Sequence, residues 1–176
     1  MGGPGHHRPG GGPLVRLGDQ RPRVRLCRQP APALCLGALK ELGALARIPT
    51  QRRSPLVRQA LDQGVAFLFS RDPAVADYPM GWGNTRPSSS WFKPGFPSGY
   101  VADVLQTLEV LAALGQGRDP RLAHALALLE SGQDRQGRWP NRYASNHKTW
   151  VDIEPQGRPS KWVTLRACTV LRAAYG

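Results

Sequence analysis

The sequence predicts an all-α protein built from helical hairpin repeats, and three observations carry that prediction. Long apolar stretches with helical spacing begin near residue 33 and are separated by short Pro and Gly punctuation. Two of those stretches align with each other, and a third repeats the first half of the unit. Nothing with strand-like alternation competes with them.

The alignment sets Ala38–Ala46 (ALKELGALA) against Val104–Ala112 (VLQTLEVLA), 66 residues apart, and Arg53-Ser54-Pro55 against Arg118-Asp119-Pro120, 65 apart. Ser54 and Asp119 are N-cap residues, whose side-chain oxygen accepts an otherwise unpaired amide of the first turn. Pro follows where its missing N–H costs nothing. A helix is therefore predicted to start at each site. Thr164–Arg172 (TLRACTVLR) is a third copy of the first helix, so the hairpin recurs two and a half times.

The two helix types differ in their apolar faces. A helix over about 55–69 carries a stripe of Val57, Ala60, Leu61, Val65 and Leu68, with Arg58, Gln59, Asp62 and Gln63 opposite, the pattern of an outer helix. A helix over about 100–114 is apolar nearly all round, through Val101, Val104, Leu105, Leu108, Val110, Leu111 and Leu114. Buried helices alternating with half-exposed ones imply an inner layer wrapped by an outer one, either a closed α/α toroid or an open solenoid.

The chain has 176 residues, 24 Lys+Arg against 12 Asp+Glu, and a formal charge of +12. Residues 1–32 hold six arginines against Asp19 alone, among seven Gly and six Pro, and are expected to be a disordered tail. Without aromatics between those arginines to stack on bases, no specific nucleic-acid partner is expected. No apolar run approaches the roughly 18 residues of a membrane span, and no apolar stretch marks a secretory signal. Three widely spaced cysteines do not form a disulfide framework, so a reducing cytoplasm is the expected compartment.

After the second outer helix the chain reads Gln133-Asp134-Arg135-Gln136-Gly137-Arg138-Trp139-Pro140. This Gln-x-x-x-Gly-x-Trp resembles the QW motif of the squalene cyclase and protein prenyltransferase superfamily. Lys161–Ala167 (KWVTLRA), and Ser88–Pro97 (SSSWFKPGFP) followed by Tyr100 and Asp103, are similar to its bacterial prenyltransferase/squalene-oxidase-repeat members. The resemblance covers roughly residues 33–176 and implies a partial α/α toroid. The motif is read as a structural clasp: the Gln133 amide holds helix-end groups, Gly137 lets the chain turn, and Trp139 stacks over the neighbouring segment. Gly81-Trp82 is a degraded copy in the first repeat. A toroid of this family uses about a dozen helices and this chain supplies about five. It is therefore expected to be the C-terminal part of a longer protein, or to self-associate through an open edge, and residues 1–32 need not be a natural start.

The chemistry of the family is thinly represented. The Asp-x-Asp-Asp acid of the triterpene cyclases is missing, and Cys27, Cys35 and Cys168 lack the Asp two residues earlier that the zinc-binding prenyltransferases use. Besides His6 and His7 in the tail, only His124 and His147 remain, so no metal site is expected. Neither a phosphate-binding Gly-rich loop nor a Gly-x-Ser-x-Gly elbow is present, and no cofactor is implied.

Two long connections remain, about 71–99 with Tyr78, Trp82, Trp91, Phe92 and Phe96, and 140–160 with His147, Trp150, Asp152 and Glu154. In a toroid the starts of inner helices look into the central cavity. Trp91, Phe96, Tyr100, Asp103, Trp162 and Arg166 are accordingly the candidate cavity wall, with Lys161 beside them. Such an aromatic wall suits an isoprenoid or lipid-like ligand, because ring faces attract developing cations. The alternatives are packing that seals the core, Asp103 and Arg166 as a buried pair or as solvated residues of the lumen, or Asp103 as a general acid. At the level of function the alternative is a non-catalytic helical-repeat module that binds protein.

Overall fold

The computed structural model describes residues 1–2, 35–75, 78, 88–99, 101–146 and 148–176. The chain divides into two units, Met1–Pro30 and Ala31–Gly176, and the secondary structure below belongs to the second. The tail, Gly81-Trp82, Tyr100 and His147 lie outside the described residues.

Among the described residues there are five α-helices, α1 Cys35–Ala46, α2 Pro55–Leu68, α3 Val104–Ala113, α4 Ala123–Glu130 and α5 Lys161–Tyr175, of which α2, α3 and α5 start at a side-chain cap. Ser54 accepts the Val57 amide at 3.3 Å ahead of Pro55. Asp119 accepts the Arg121 amide at 2.9 Å ahead of Pro120, and the chain passes through one 3-10 turn, Pro120–Leu122, into α4. Arg53 closes the end of α1 by donating to the carbonyls of Ile48 (2.9 Å) and Ala46 (3.1 Å), placing a cation at the negative end of the helix.

The start of α3 departs from expectation. Its apolar pattern begins near residue 100, yet the helix begins at Val104 because Asp103 caps it in extended conformation, its carboxylate accepting the Gln106 amide at 2.8 Å. Residues 101–103 therefore run as non-helical chain into the helix.

Among the described residues the protein is all-α, with isolated bridges at Gly95–Tyr143 and Pro140–Pro159 and no strand. Helix α3 packs on α1, α4 and α5, and α1 packs on α2. Burial follows from these contacts. Val104, Leu105, Leu108 and Leu111 of α3 are all buried, whereas α2 buries Leu61 and Leu68 and leaves Arg58, Gln59, Asp62 and Gln63 in water. Helix α5 buries Val163, Ala167 and Val170 but exposes Leu165 at 58% and Trp162 at 41%. It is thus half-covered, unlike α3, which it matches in sequence.

The aromatics after α2 finish the core. Tyr78 lies 5.7 Å from Phe67 and 5.3 Å from Trp91, ring centre to ring centre, and its hydroxyl donates to the Leu68 carbonyl. The Trp91 indole donates to the Pro73 carbonyl at 2.8 Å. No helix among the described residues is long and apolar enough to cross a membrane.

Candidate functional site

A groove of about 660 Å³ runs between α1 and α3 on the face that both present toward Arg166 of α5. Its floor is aliphatic and small, with Leu39, Gly43, Ala44, Val110 and Ala113, and its edges are polar. Three of the edge residues correspond in the sequence alignment: Lys40, Gln106 and Arg166 each stand third in their copy of the nine-residue segment. The same register recurs beyond this groove. Glu109 and Ala113 are shared with a second groove of about 330 Å³ between α3 and α5, which is also lined by Thr169, Val170 and Ala173.

The polar edge is one connected network. Lys40 Nζ donates to the Ser98 carbonyl at 2.8 Å and to Gln106 Oε1 at 2.7 Å, and Gln106 Nε2 donates to the Val101 carbonyl at 2.6 Å. Arg166 grips Glu109 through Nε (2.7 Å) and Nη2 (2.6 Å), and its Nη1 donates to the Gly95 carbonyl at 3.0 Å. This fork ties α5 to α3 and to the loop ahead of α3.

Electrostatics follow from burial and neighbours. Burial lowers the Lys40 pKa, with Asp103 opposing the shift and Arg166 adding to it. Asp103 is pushed up by its own burial, against the pull of the Gln106 amide and of Arg166. Burial works against the Arg166 charge, but its bonds to Glu109 outweigh that and leave its pKa raised. Lys40, Glu109 and Arg166 of this edge are thus each engaged by protein groups.

The wall expected from sequence is only partly gathered here. Arg166 lines the groove, and Asp103 reaches it only through Gln106. Asp103 and Arg166 sense each other's charge, but the partner that Arg166 holds is Glu109. Trp91 is buried packing, its indole committed to Pro73. Phe96 and Trp162 stack on each other at 5.2 Å and 22°, and Lys161 Nζ stands 5.2 Å over the Trp162 ring. Among the described residues this groove is lined by aliphatic, neutral polar and charged side chains and by no ring. Lys40, Gln106 and Glu109 were missed, although a Lys and a Gln at matching positions of otherwise apolar helices are a readable signal.

The segment after α4 behaves as a clasp, with a different division of labour. Trp139 is buried, its indole N–H donates to the Leu129 carbonyl at 2.8 Å, and its backbone N–H donates to Thr164 Oγ1 at 3.0 Å. It thereby fastens the end of α4 to the start of α5. Gly137 adopts φ +73°, a left-handed turn that suits glycine. The turn is held by Asp134, whose Oδ1 accepts the amides of Gln136 and Arg138, both at 2.9 Å. Gln133 is exposed, so the expected role of its amide is corrected: the helix-end carbonyl goes to the indole.

Asn141, two residues on, carries no sequence signal and is a hub. Buried, it accepts the Phe96 amide at 3.0 Å and donates to the carbonyls of Phe96 (3.1 Å) and Glu154 (3.3 Å). Beside it Gly95 passes so close to Tyr143 that an added Cβ would lie 2.0 Å from the Tyr143 carbonyl oxygen.

Among the described residues no three His, Cys, Asp or Glu side chains converge as metal ligands. No family model matches the chain, and neither a curated protein nor a solved structure matches it.

Proposed function

We propose that the chain is an arc of a terpenoid cyclase/prenyltransferase-like α/α fold, and that the α1–α3 groove on its inner face binds an apolar, isoprenoid-like ligand. In this reading α1, α3 and α5 are successive inner helices, and α2 and α4 cover them from outside. One observation carries it: corresponding positions of the three aligned segments meet on one face, where they line a groove. Its volume of about 660 Å³ falls within the roughly 300–1,000 Å³ of small-molecule sites. The aliphatic floor fits a hydrocarbon chain, and Lys40 at the edge fits a polar or anionic end group. Because Asp103 spends its carboxylate on capping, the reading is of binding, with no catalytic acid assigned.

Isothermal titration of the chain with squalene and with polyprenyl diphosphates tests this. Saturable binding is expected, and Ala44→Trp, at an exposed groove position, is expected to abolish it while leaving thermal unfolding unchanged. No binding by any isoprenoid, or binding indifferent to Ala44→Trp, rejects the proposal. The small side chains of the floor also favour a second reading, in which an amphipathic helix of a partner lies in the groove. Ala44→Trp blocking a protein partner while no isoprenoid binds the parent would favour that one.

A further inference from the structure

The loop from Asn141 to Arg158 carries apolar side chains that the core does not use. Its base is closed by backbone bonds, the Asn141 amide donating to the Arg158 carbonyl at 2.8 Å and the Gly157 amide to the Asn141 carbonyl at 2.7 Å. Its tip is folded on itself, with the Lys148 amide donating to Ser145 (3.0 Å) and Thr149 Oγ1 to the Val151 carbonyl (2.8 Å). At that tip Trp150 is 105% exposed, Val151 69% and Ile153 52%. Large apolar side chains clustered in water carry a free-energy cost that burial elsewhere would recover.

The charge carried by the same stretch of chain indicates where. Between 142 and 161, Arg142, Lys148, Arg158 and Lys161 are all exposed, against Asp152 and Glu154, and Glu154 is engaged by the Ser160 hydroxyl.

We propose that the Trp150–Ile153 tip docks peripherally on an anionic lipid surface. A protruding tip needs a partner that yields around it, and a bilayer interface does so without a preformed pocket. The indole belongs at headgroup depth, where its ring is shielded and its N–H stays wet. Val151 and Ile153 reach the acyl boundary, and the basic collar faces the lipid charge. This inference is independent of the groove.

Flotation of the full chain with vesicles of mixed phosphatidylcholine and phosphatidylserine, against vesicles of phosphatidylcholine alone, tests it. The chain is expected to float with the mixed vesicles and weakly with the neutral ones. Replacing the tip (Trp150→Ser, Val151→Ser, Ile153→Ser) is expected to weaken partitioning about tenfold or more, and Lys148→Glu about fivefold or more, the latter effect fading at high salt. Since these side chains are exposed, both variants are expected to unfold at the parent's temperature, which separates lost docking from lost fold. Absence of flotation overturns the proposal, as does a tip variant that floats as well as the parent, because the rest of the basic chain would then be responsible. A parent dimer that the tip substitutions convert to a monomer in sedimentation equilibrium also overturns it, by assigning the tip to self-association.

Discussion

The groove between α1 and α3 and the junction around Trp139 and Asn141 use polar atoms in opposite ways. In the junction the buried groups are neutral, and they satisfy backbone carbonyls and amides one by one: an indole on Leu129, an amide on both sides of Phe96. In the groove charged groups take partners across helices, Arg166 on the Glu109 carboxylate and Lys40 on the neutral Gln106 amide. The junction fixes the course of the chain and leaves nothing over. The groove keeps an accessible surface whose charge is poised by its own network.

That contrast predicts a ranking of damage. Gly95→Ala should be the most severe, because the new methyl meets the Tyr143 backbone and the two loops must part; a loss of about 3 kcal/mol or more in urea unfolding is expected. Trp139→Phe should follow at about 2 kcal/mol, the cost of stranding the Leu129 carbonyl. Arg166→Met should cost a similar or smaller amount, about 1–2 kcal/mol. A double-mutant cycle with Glu109→Gln should then show coupling. If Trp139→Phe proves milder than Arg166→Met, the division between a fixing junction and an adaptable groove fails.

The smallest effect is one of pH. Asp103 binds its proton more tightly folded than unfolded, so between 3.8 and its raised folded pKa the folded state holds more protons and stability falls as pH rises. Asp103→Asn keeps the capping oxygen and removes the titration. Urea midpoints from about pH 4 to about pH 7 should therefore decline for the parent relative to the variant. Parallel curves would mean that the buried carboxylate is not strained by its surroundings.

What could be read in the sequence was whatever is local. Ser54-Pro55 and Asp119-Pro120 announce helix starts within four residues of chain, and the nearly all-round apolar text of α3 announces burial on most sides. Trp139 was legible because its motif contains the turn that aims it. The groove was harder, because it arises from register between segments 66 residues apart, and a single polar residue in an apolar helix reads equally well as a tolerated exception. The aromatics misled for a related reason. Trp91 reads as part of a ligand-binding wall until the structure shows it buried, with its indole committed to the Pro73 carbonyl. Asn141 was invisible, since its partners lie 13 and 45 residues away.

The Arg166 fork has a temporal side. Its bonds close across 57 residues to Glu109 and 71 to Gly95, long-range contacts whose chain-closure entropy slows their formation. Without α5, one flank of α3 would be open to water and the Glu109 carboxylate would lack its cation. Helix α5 therefore acts as a keystone for α3: once seated, it covers that helix's open flank and locks it through a two-pronged ion pair.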